Sequence, residues 1–216
     1  MMKKIAVILS GCGVFDGAEI HESTLLLLAI KRAGCSYTVF APDKEQSEVI
    51  NHCSGKQENE KRNILVEASR IARKGAQPLN RLNPENFDAI VLPGGFGVAK
   101  NLCDFAYKGE NYTVIPEIES VLTKACKLKK PIGATCIAPI LFAKIFKGSK
   151  ITLGDVNEAS IAAEKNGAFH VVTTHGETVV DEKYKLVTTP CYMLDADIVQ
   201  IAEGTDNLIT EILKLI

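Results

Sequence analysis

Three short stretches carry residue types that can do covalent chemistry together: a thiol at Cys136, a carboxyl at Glu22, and a turn at Pro93-Gly94-Gly95-Phe96-Gly97. Cys136 lies in Lys130-Pro-Ile-Gly-Ala-Thr-Cys-Ile-Ala-Pro139, where a short apolar strand is expected to end on the thiol and turn into a helix. Gly133 and Ala134 leave little bulk before the sulfur, and Pro139 suits a first helical turn, where its missing N–H is not needed. A thiol at such a junction feels the positive end of the helix, which favours thiolate, the nucleophilic form. The plainer alternative is a cysteine buried for packing. Backbone N–H groups on the Pro-Gly-Gly turn would hold an oxyanion beside that nucleophile, although glycine also serves an ordinary strand-to-helix turn. Near the first loop, Asp16 with Glu19 three residues on fits a capping arrangement. That leaves Glu22 unexplained by capping, either as a proton carrier for Cys136 or as a solvated surface carboxylate.

For these stretches to meet, their strands must end at one edge of a sheet. Apolar strands alternate with helical patterns along the chain, which predicts a largely parallel sheet covered on both faces. Strands are expected at Lys3–Leu9, Ser36–Ala41, Phe87–Leu92, just before Cys136 and at Lys150–Leu153, with two or three more between Ala168 and Thr189. Helices are expected over Glu19–Ala33, Asn63–Lys74, Ala99–Ala106, Ile115–Lys127, the segment after Cys136, Val156–Asn166, and Leu194 to the last residue. Ligands of such sheets sit outside the carboxyl ends of the strands. Ser10–Glu22, Ala41–Asp43, Pro93–Gly97 and Thr135–Pro139 all fall there. Residues 43–63 form a polar excursion that includes His52, and long loops inside compact domains are usually functional. It is expected either to fold His52 over the site or to leave it on the surface.

The 216 residues are 46% hydrophobic, enough for one α/β domain spanning 1–216. A net charge of −1 with scattered Lys and Arg argues against nucleic acid or an anionic membrane as partner, and no apolar run approaches a bilayer's thickness. Seven cysteines without a C-x-x-C pair read as a reduced, cytoplasmic chain. No metal is expected, because His52 adjoins Cys53 and His170 and His175 lie five apart. Gly11-Cys-Gly13-Val-Phe-Asp-Gly17 is nearly a dinucleotide fingerprint with Asp43 beyond it. Asp16, Glu19 and Glu22, however, crowd the place where a pyrophosphate would dock. Cys12, opening at the same sheet edge, is a candidate to approach Cys136 and line a substrate pocket with Gly94 and His52.

Together the residues resemble a known group. Gly17-Ala-Glu-Ile-His-Glu22, Leu92-Pro-Gly-Gly95 and Ala134-Thr-Cys-Ile-Ala-Pro139 resemble, in order and spacing, the PfpI-type glutamine-amidotransferase-like superfamily, which includes the parkinsonism-associated deglycase. The likeness is greater to its enhancing lycopene biosynthesis (ElbB) branch. It extends over Ser10–Gly17, Val49–His52, Arg62-Asn63, Pro93–Gly97, Lys100–Leu102, Cys136–Pro139 and Val187–Pro190, essentially the whole chain.

This resemblance implies a flavodoxin-like three-layer α/β sandwich of the class I glutamine-amidotransferase-like type, with Cys136 on a nucleophile elbow and Glu22 hydrogen-bonding the sulfur. Gly95 and Ile137 match the backbone oxyanion donors. The implied activity is a cofactor-independent glyoxalase acting on small 2-oxoaldehydes, glyoxal to glycolate or methylglyoxal to lactate, in a homodimer linked to isoprenoid biosynthesis. One position departs: where the deglycase branch has a histidine after the nucleophile, this chain has Gly154, so deprotonation falls to Glu22, the helix end, His52 or His21. His175-Gly-Glu177 is superficially similar to the glutaminase His-x-Glu pair. An ammonia-supplying glutaminase subunit and a non-enzymatic thiol sensor therefore remain alternatives.

Overall fold

Alternating apolar residues in a strand present side chains to both faces of a sheet, and each face then needs a cover. The computed structural model describes residues 2–73 and 75–216. Along the chain run β1 (Lys4–Ile8), α1 (Ile20–Arg32), β2 (Ser36–Ala41), α2 (Ile64–Ala72), β3 (Gln77–Pro78), β4 (Ala89–Leu92), α3 (Phe105–Lys108) and α4 (Pro116–Lys127). After them come β5 (Ile132–Thr135), α5 (Ile140–Ile145), β6 (Lys150–Ile151), α6 (Glu158–Lys165), β7 (Phe169–His170), β8 (Val179–Asp181), β9 (Leu186–Thr189) and α7 (Ile198–Leu215). Seven strands form one sheet in the order β3-β2-β1-β4-β5-β9-β8, in which β8 pairs antiparallel with β9 and the other neighbours are parallel. On one face Ile5, Val7, Val91 and Val187 meet Leu26 and Ile30 of α1, Ile64 of α2, and Leu208 and Ile212 of α7. On the other, Ala6, Ile8, Ile90, Leu92, Ile132 and Ala134 meet Ile118 and Leu122 of α4 and Leu141 and Phe142 of α5. The result is the expected three-layer α/β fold.

The chain steps outward from β1 through β2 to β3, then returns to place β4 on the other side of β1. The strand order therefore reverses between β1 and β4, which opens a crevice at their carboxyl ends. Several expected boundaries shift for local reasons. The predicted helix over Ala99–Ala106 is a wide π-helical turn at Val98–Leu102, closed by the Cys103 N–H on the Val98 carbonyl, followed by the short α3. In that turn the Asn101 amide donates to the carbonyls of Ser10 and Asp16, so tertiary bonding overrides regular helix. The last helix starts at Ile198 rather than Leu194, because Asp197 and Gln200 form a capping box there. The capping arrangement expected of Asp16 with Glu19 is not formed. Glu19 itself caps α1 by accepting from the Glu22 N–H at 2.7 Å, and Asp16 accepts from the Ile50 N–H instead. Strand β3 is too short to show alternation, and β7 pairs with β6 in a separate two-stranded sheet. Lys74, the predicted end of the second helix, lies outside the described residues.

Candidate active site

Strand β5 ends at Thr135, and the Ala138 N–H closes a turn onto the Thr135 carbonyl with Cys136 and Ile137 at its centre. Cys136 has φ = 56°, a left-handed conformation that side chains with a Cβ adopt at a cost of about 1–3 kcal/mol when the surroundings hold them there. The surroundings here are explicit. The Cys136 N–H donates to the Thr189 carbonyl of β9, and Gly94 presses from the other side. A Cβ at Gly94 would sit 2.4 Å from the Cys136 Cβ and 2.9 Å from both its Sγ and the Glu22 Oε2, so only glycine lets the turn after β4 reach the thiol. The 93–97 turn also lies flush on the first loop: the Glu19 N–H donates to the Gly94 carbonyl, the Gly97 N–H donates to the Gly17 carbonyl, and a Cβ at Gly97 would lie 2.5 Å from Gly17. Of the near-fingerprint glycines Gly17 serves this backbone contact, whereas Gly13 lies against His52.

Glu22 projects from the first turn of α1 into the crevice and is fully buried. Its Oε2 accepts from the Thr135 hydroxyl at 2.6 Å and the Gly94 N–H at 2.9 Å, and its Oε1 accepts from the Tyr192 N–H at 3.3 Å. Burial raises its pKa to about 7, against the pull of the Thr135 and Gly94 donors and of the Cys136 thiol that it bonds. The Cys136 thiol is pushed well above the usual thiol range, by burial first and by the Glu22 charge second. The N–H groups of Gly95 and Ile137 bond the sulfur and act in the opposite direction. Local position alone therefore does not make Cys136 a thiolate. Two coupled acids titrate as a pair. Glu22 gives up its proton first, near pH 7, and the thiol keeps the second because two adjacent buried anions repel. The sulfur becomes thiolate when that remaining proton passes from it to Glu22.

A family model described as the DJ-1/PfpI family matches residues 3–193. The chain belongs to the DJ-1/PfpI family. It is 42% identical to the "ES1 protein homolog, mitochondrial" of Rattus norvegicus, the alignment covering 98% of this chain and 84% of that protein. It is 41% identical to the human "Glutamine amidotransferase-like class 1 domain-containing protein 3, mitochondrial", over 98% of this chain and 83% of that one. A solved isoprenoid biosynthesis protein with an amidotransferase-like domain from Ehrlichia chaffeensis superposes with a TM-score of 0.91 at 32% identity, over 99% and 100% of the two chains. That structure supports the ElbB-like placement.

In this DJ-1/PfpI family member the sequence-derived candidates divide. Cys136, Glu22, Gly94, Gly95 and Ile137 come together as described. His52 and Cys12 do not join them. The 43–63 excursion folds on itself through bridges between Glu45 and Asn63 and between Ile50 and Gln57, and it is fastened to the first loop and the 98–102 turn. His52 there accepts from the Phe15 N–H and bonds the Ile50 carbonyl, bordering a cavity of about 550 Å³ lined by Ile50, Asn51, Glu58, Asn59, Glu60 and Arg62. Cys12 faces Glu67, Arg70, Asp16 and Arg62, and burial with the Glu67 charge raises its pKa. His21 Nδ1 lies 2.8 Å from the Tyr192 hydroxyl, beside the Tyr192 backbone that binds Glu22. Sequence reasoning missed Thr135 as the hydroxyl bridging Glu22 and Gly94, and missed Cys191 and Tyr192 altogether. Gly154 has φ = 83°, and Leu194 and Met193 stand about where its side chain would be, at 3.1 and 3.3 Å.

Proposed function

We propose that the chain is an enzyme, a cofactor-independent glyoxalase that converts small 2-oxoaldehydes into 2-hydroxy acids at Cys136. The observation that carries this reading is the buried Cys136–Glu22 pair, in which a carboxyl with its pKa raised to about 7 bonds a thiol that also faces the N–H groups of Gly95 and Ile137. The thiolate adds to the aldehyde carbon, and the Glu22 carboxyl gives its proton to the resulting alkoxide to form a hemithioacetal. Glu22, now a carboxylate, takes the C1 proton, and a proton returns at C2 as the C2 carbonyl becomes a hydroxyl and C1 a thioester. Water cleaves the thioester, releasing glycolate or lactate and restoring the thiolate. The substrate's oxidation at C1 balances its reduction at C2, so no external oxidant enters. Gly95 and Ile137 are placed to hold the oxyanions of the addition and hydrolysis steps. Cys136 is 7% exposed, which favours a substrate of a few heavy atoms.

The alternative glutaminase reading has less support: no histidine is among the groups that perturb Cys136, and the His175–Glu177 turn packs on Glu203 and Asn207 of α7. Among the described residues no helix is long and apolar enough to cross a membrane. A homodimer in a reducing, cytoplasm-like compartment is the assembly and location proposed, the latter supported by seven free thiols. The test is glycolate formation from glyoxal by wild type, Cys136→Ala and Glu22→Gln. Wild type should turn over, Cys136→Ala should not, and Glu22→Gln should be strongly slowed. No glycolate from wild type, or an undiminished rate in Cys136→Ala, would rule the reading out.

A further inference from the structure

A second thiol lies against the first, and the aldehyde chemistry does not use it. Strands β5 and β9 are parallel neighbours with Thr135 opposite Thr189, so Cys136 leaves β5 beside Pro190-Cys191 leaving β9. The strands pair up to Thr135 and Thr189, and the chain then carries the two cysteines, one and two residues further on, into a shared cluster. Cys191 repeats the unusual backbone of Cys136, with φ = 42°, although it stands two residues beyond its strand instead of one. The two cysteines and Ile201 form one small buried cluster, walled by Leu25, Ile137, Tyr192 and Met193. On its far side Cys191 meets α7 at Gly204, where a Cβ would stand 3.5 Å from the sulfur. On its near side the Cys191 thiol neighbours Thr135, whose hydroxyl donates to Glu22. The remaining cysteines, Cys12, Cys35, Cys53, Cys103 and Cys126, are outside this cluster.

We propose that Cys191 is the resolving thiol of Cys136: the pair reduces a hydroperoxide and stores the oxidation as an intramolecular Cys136–Cys191 disulfide. This shares with the aldehyde reading the nucleophilicity of Cys136, and does not require that any aldehyde be turned over. In the first step the Cys136 thiolate attacks one peroxide oxygen. An S–O bond forms and the O–O bond breaks, and the departing hydroxide takes the Glu22 proton to leave as water. The peroxide is reduced by two electrons and the sulfur is oxidised to sulfenic acid. In the second step the Cys191 thiol gives its proton to the Glu22 carboxylate and attacks the sulfenic sulfur. The S–S bond forms, the S–O bond breaks, and the leaving hydroxide recovers that proton as water. An external dithiol returns both cysteines to thiols by exchange. Without a resolving thiol the sulfenic acid is open to a second peroxide and goes on to sulfinic acid, which dithiols do not reduce.

The experiment is intact-mass and non-reducing peptide mass spectrometry of the full chain after brief treatment with hydrogen peroxide, on wild type, Cys191→Ser and Cys136→Ser. Wild type should lose about 2 Da, show a crosslink between the Cys136 and Cys191 peptides, and recover fully in dithiothreitol. Cys191→Ser should show no crosslink, gain about 32 Da at Cys136 and fail to recover. Cys136→Ser should leave Cys191 as thiol. Circular dichroism melting of the two near-isosteric variants checks that each is folded. The proposal is overturned if folded wild type accumulates sulfinic Cys136 as fast as Cys191→Ser does, if Cys136 stays inert to peroxide, or if the crosslink runs to another cysteine. Because the readout is mass, failure of glyoxal turnover leaves it unaffected.

Discussion

Replacing Glu22 by glutamine should leave the reactivity of Cys136 unchanged in weak acid and raise it above neutral pH. The Glu22 carboxyl gives up its proton near pH 7, and its charge then adds to the burial that already pushes the thiol up. Below pH 7 the carboxyl is protonated and the thiol ionises against burial, as it would beside the neutral amide, so the two proteins should be alkylated at similar rates at pH 6. Above pH 7 the Glu22 charge holds the wild-type thiol protonated and the rate should level off, while in Glu22→Gln it should go on rising about tenfold per pH unit. At pH 8, one unit above the Glu22 pKa of about 7, the variant should therefore be about tenfold faster. The assay is iodoacetamide labelling of Cys136, followed by peptide mass spectrometry from about pH 5 to about pH 9 so that more exposed thiols do not contribute. Wild-type labelling that climbs through pH 7 in step with Glu22→Gln would show that the Glu22 charge does not reach the sulfur, and the coupled-pair account would be wrong.

The same substitution should stabilise the protein at alkaline pH. The folded pKa of Glu22, about 7, lies above its unfolded value of 4.5, so its burial costs nothing below about pH 4.5, and stability declines as pH rises through about 7. The full cost is about 3 kcal/mol, so urea unfolding at pH 8 should find Glu22→Gln more stable by up to that amount, reduced by the unpaired Tyr192 N–H, and the gain should disappear in acid. A variant less stable than wild type at pH 8 would contradict this. Gly94→Ala should drive a methyl between Cys136 and Glu22, costing about 1–3 kcal/mol in the same unfolding assay. Misplacing the sulfur should also slow glyoxal turnover by about 100-fold; unchanged kinetics would mean that the turn yields without moving the thiol. Gly154→His should destabilise by about 1 kcal/mol or more, from left-handed backbone and contact with Leu194, and leave Cys136 alkylation levelling off near pH 7, where Glu22 titrates. A new midpoint typical of histidine would refute the view that this corner is closed.

What could be read in the sequence was what local pattern encodes. Cys136 stood out because a strand, two small residues and a proline bracket it, and Glu22 because the acids before it accounted for the start of the helix and it was left over. The turn at Gly94-Gly95 stood out by composition, although not the reason for it, which is a 2.4 Å approach to the Cys136 Cβ. Cys191, Thr135 and Tyr192 act through the pairing of β9 with β5, a contact between segments some fifty residues apart that no local periodicity records. His52 was a reasonable candidate on loop length alone. Its partners, the Phe15 N–H and the Ile50 carbonyl, fold the excursion against the first loop. The protonation of the pair was out of reach for the same reason: helix-end electrostatics is visible in sequence, whereas complete burial of Glu22 is a property of the assembled crevice.

The missing histidine then has a physical consequence beyond weaker catalysis. A Cys–His pair divides its work, with imidazole taking the thiol proton and later activating water. Here the position after the nucleophile is glycine in a left-handed turn filled by Met193 and Leu194, so the wall that would carry a base is apolar. Every proton in the proposed cycle must pass through Glu22, whose pKa of about 7 lets it give and accept at neutral pH with little bias. Such a site is suited to reactions that return each proton they take, as the shift from hemithioacetal to thioester does. It is poorly suited to amide hydrolysis, in which one group must protonate an amine while another activates water. The same restriction fits the chemistry inferred for Cys191, where Glu22 receives one proton and gives it back within a single turnover.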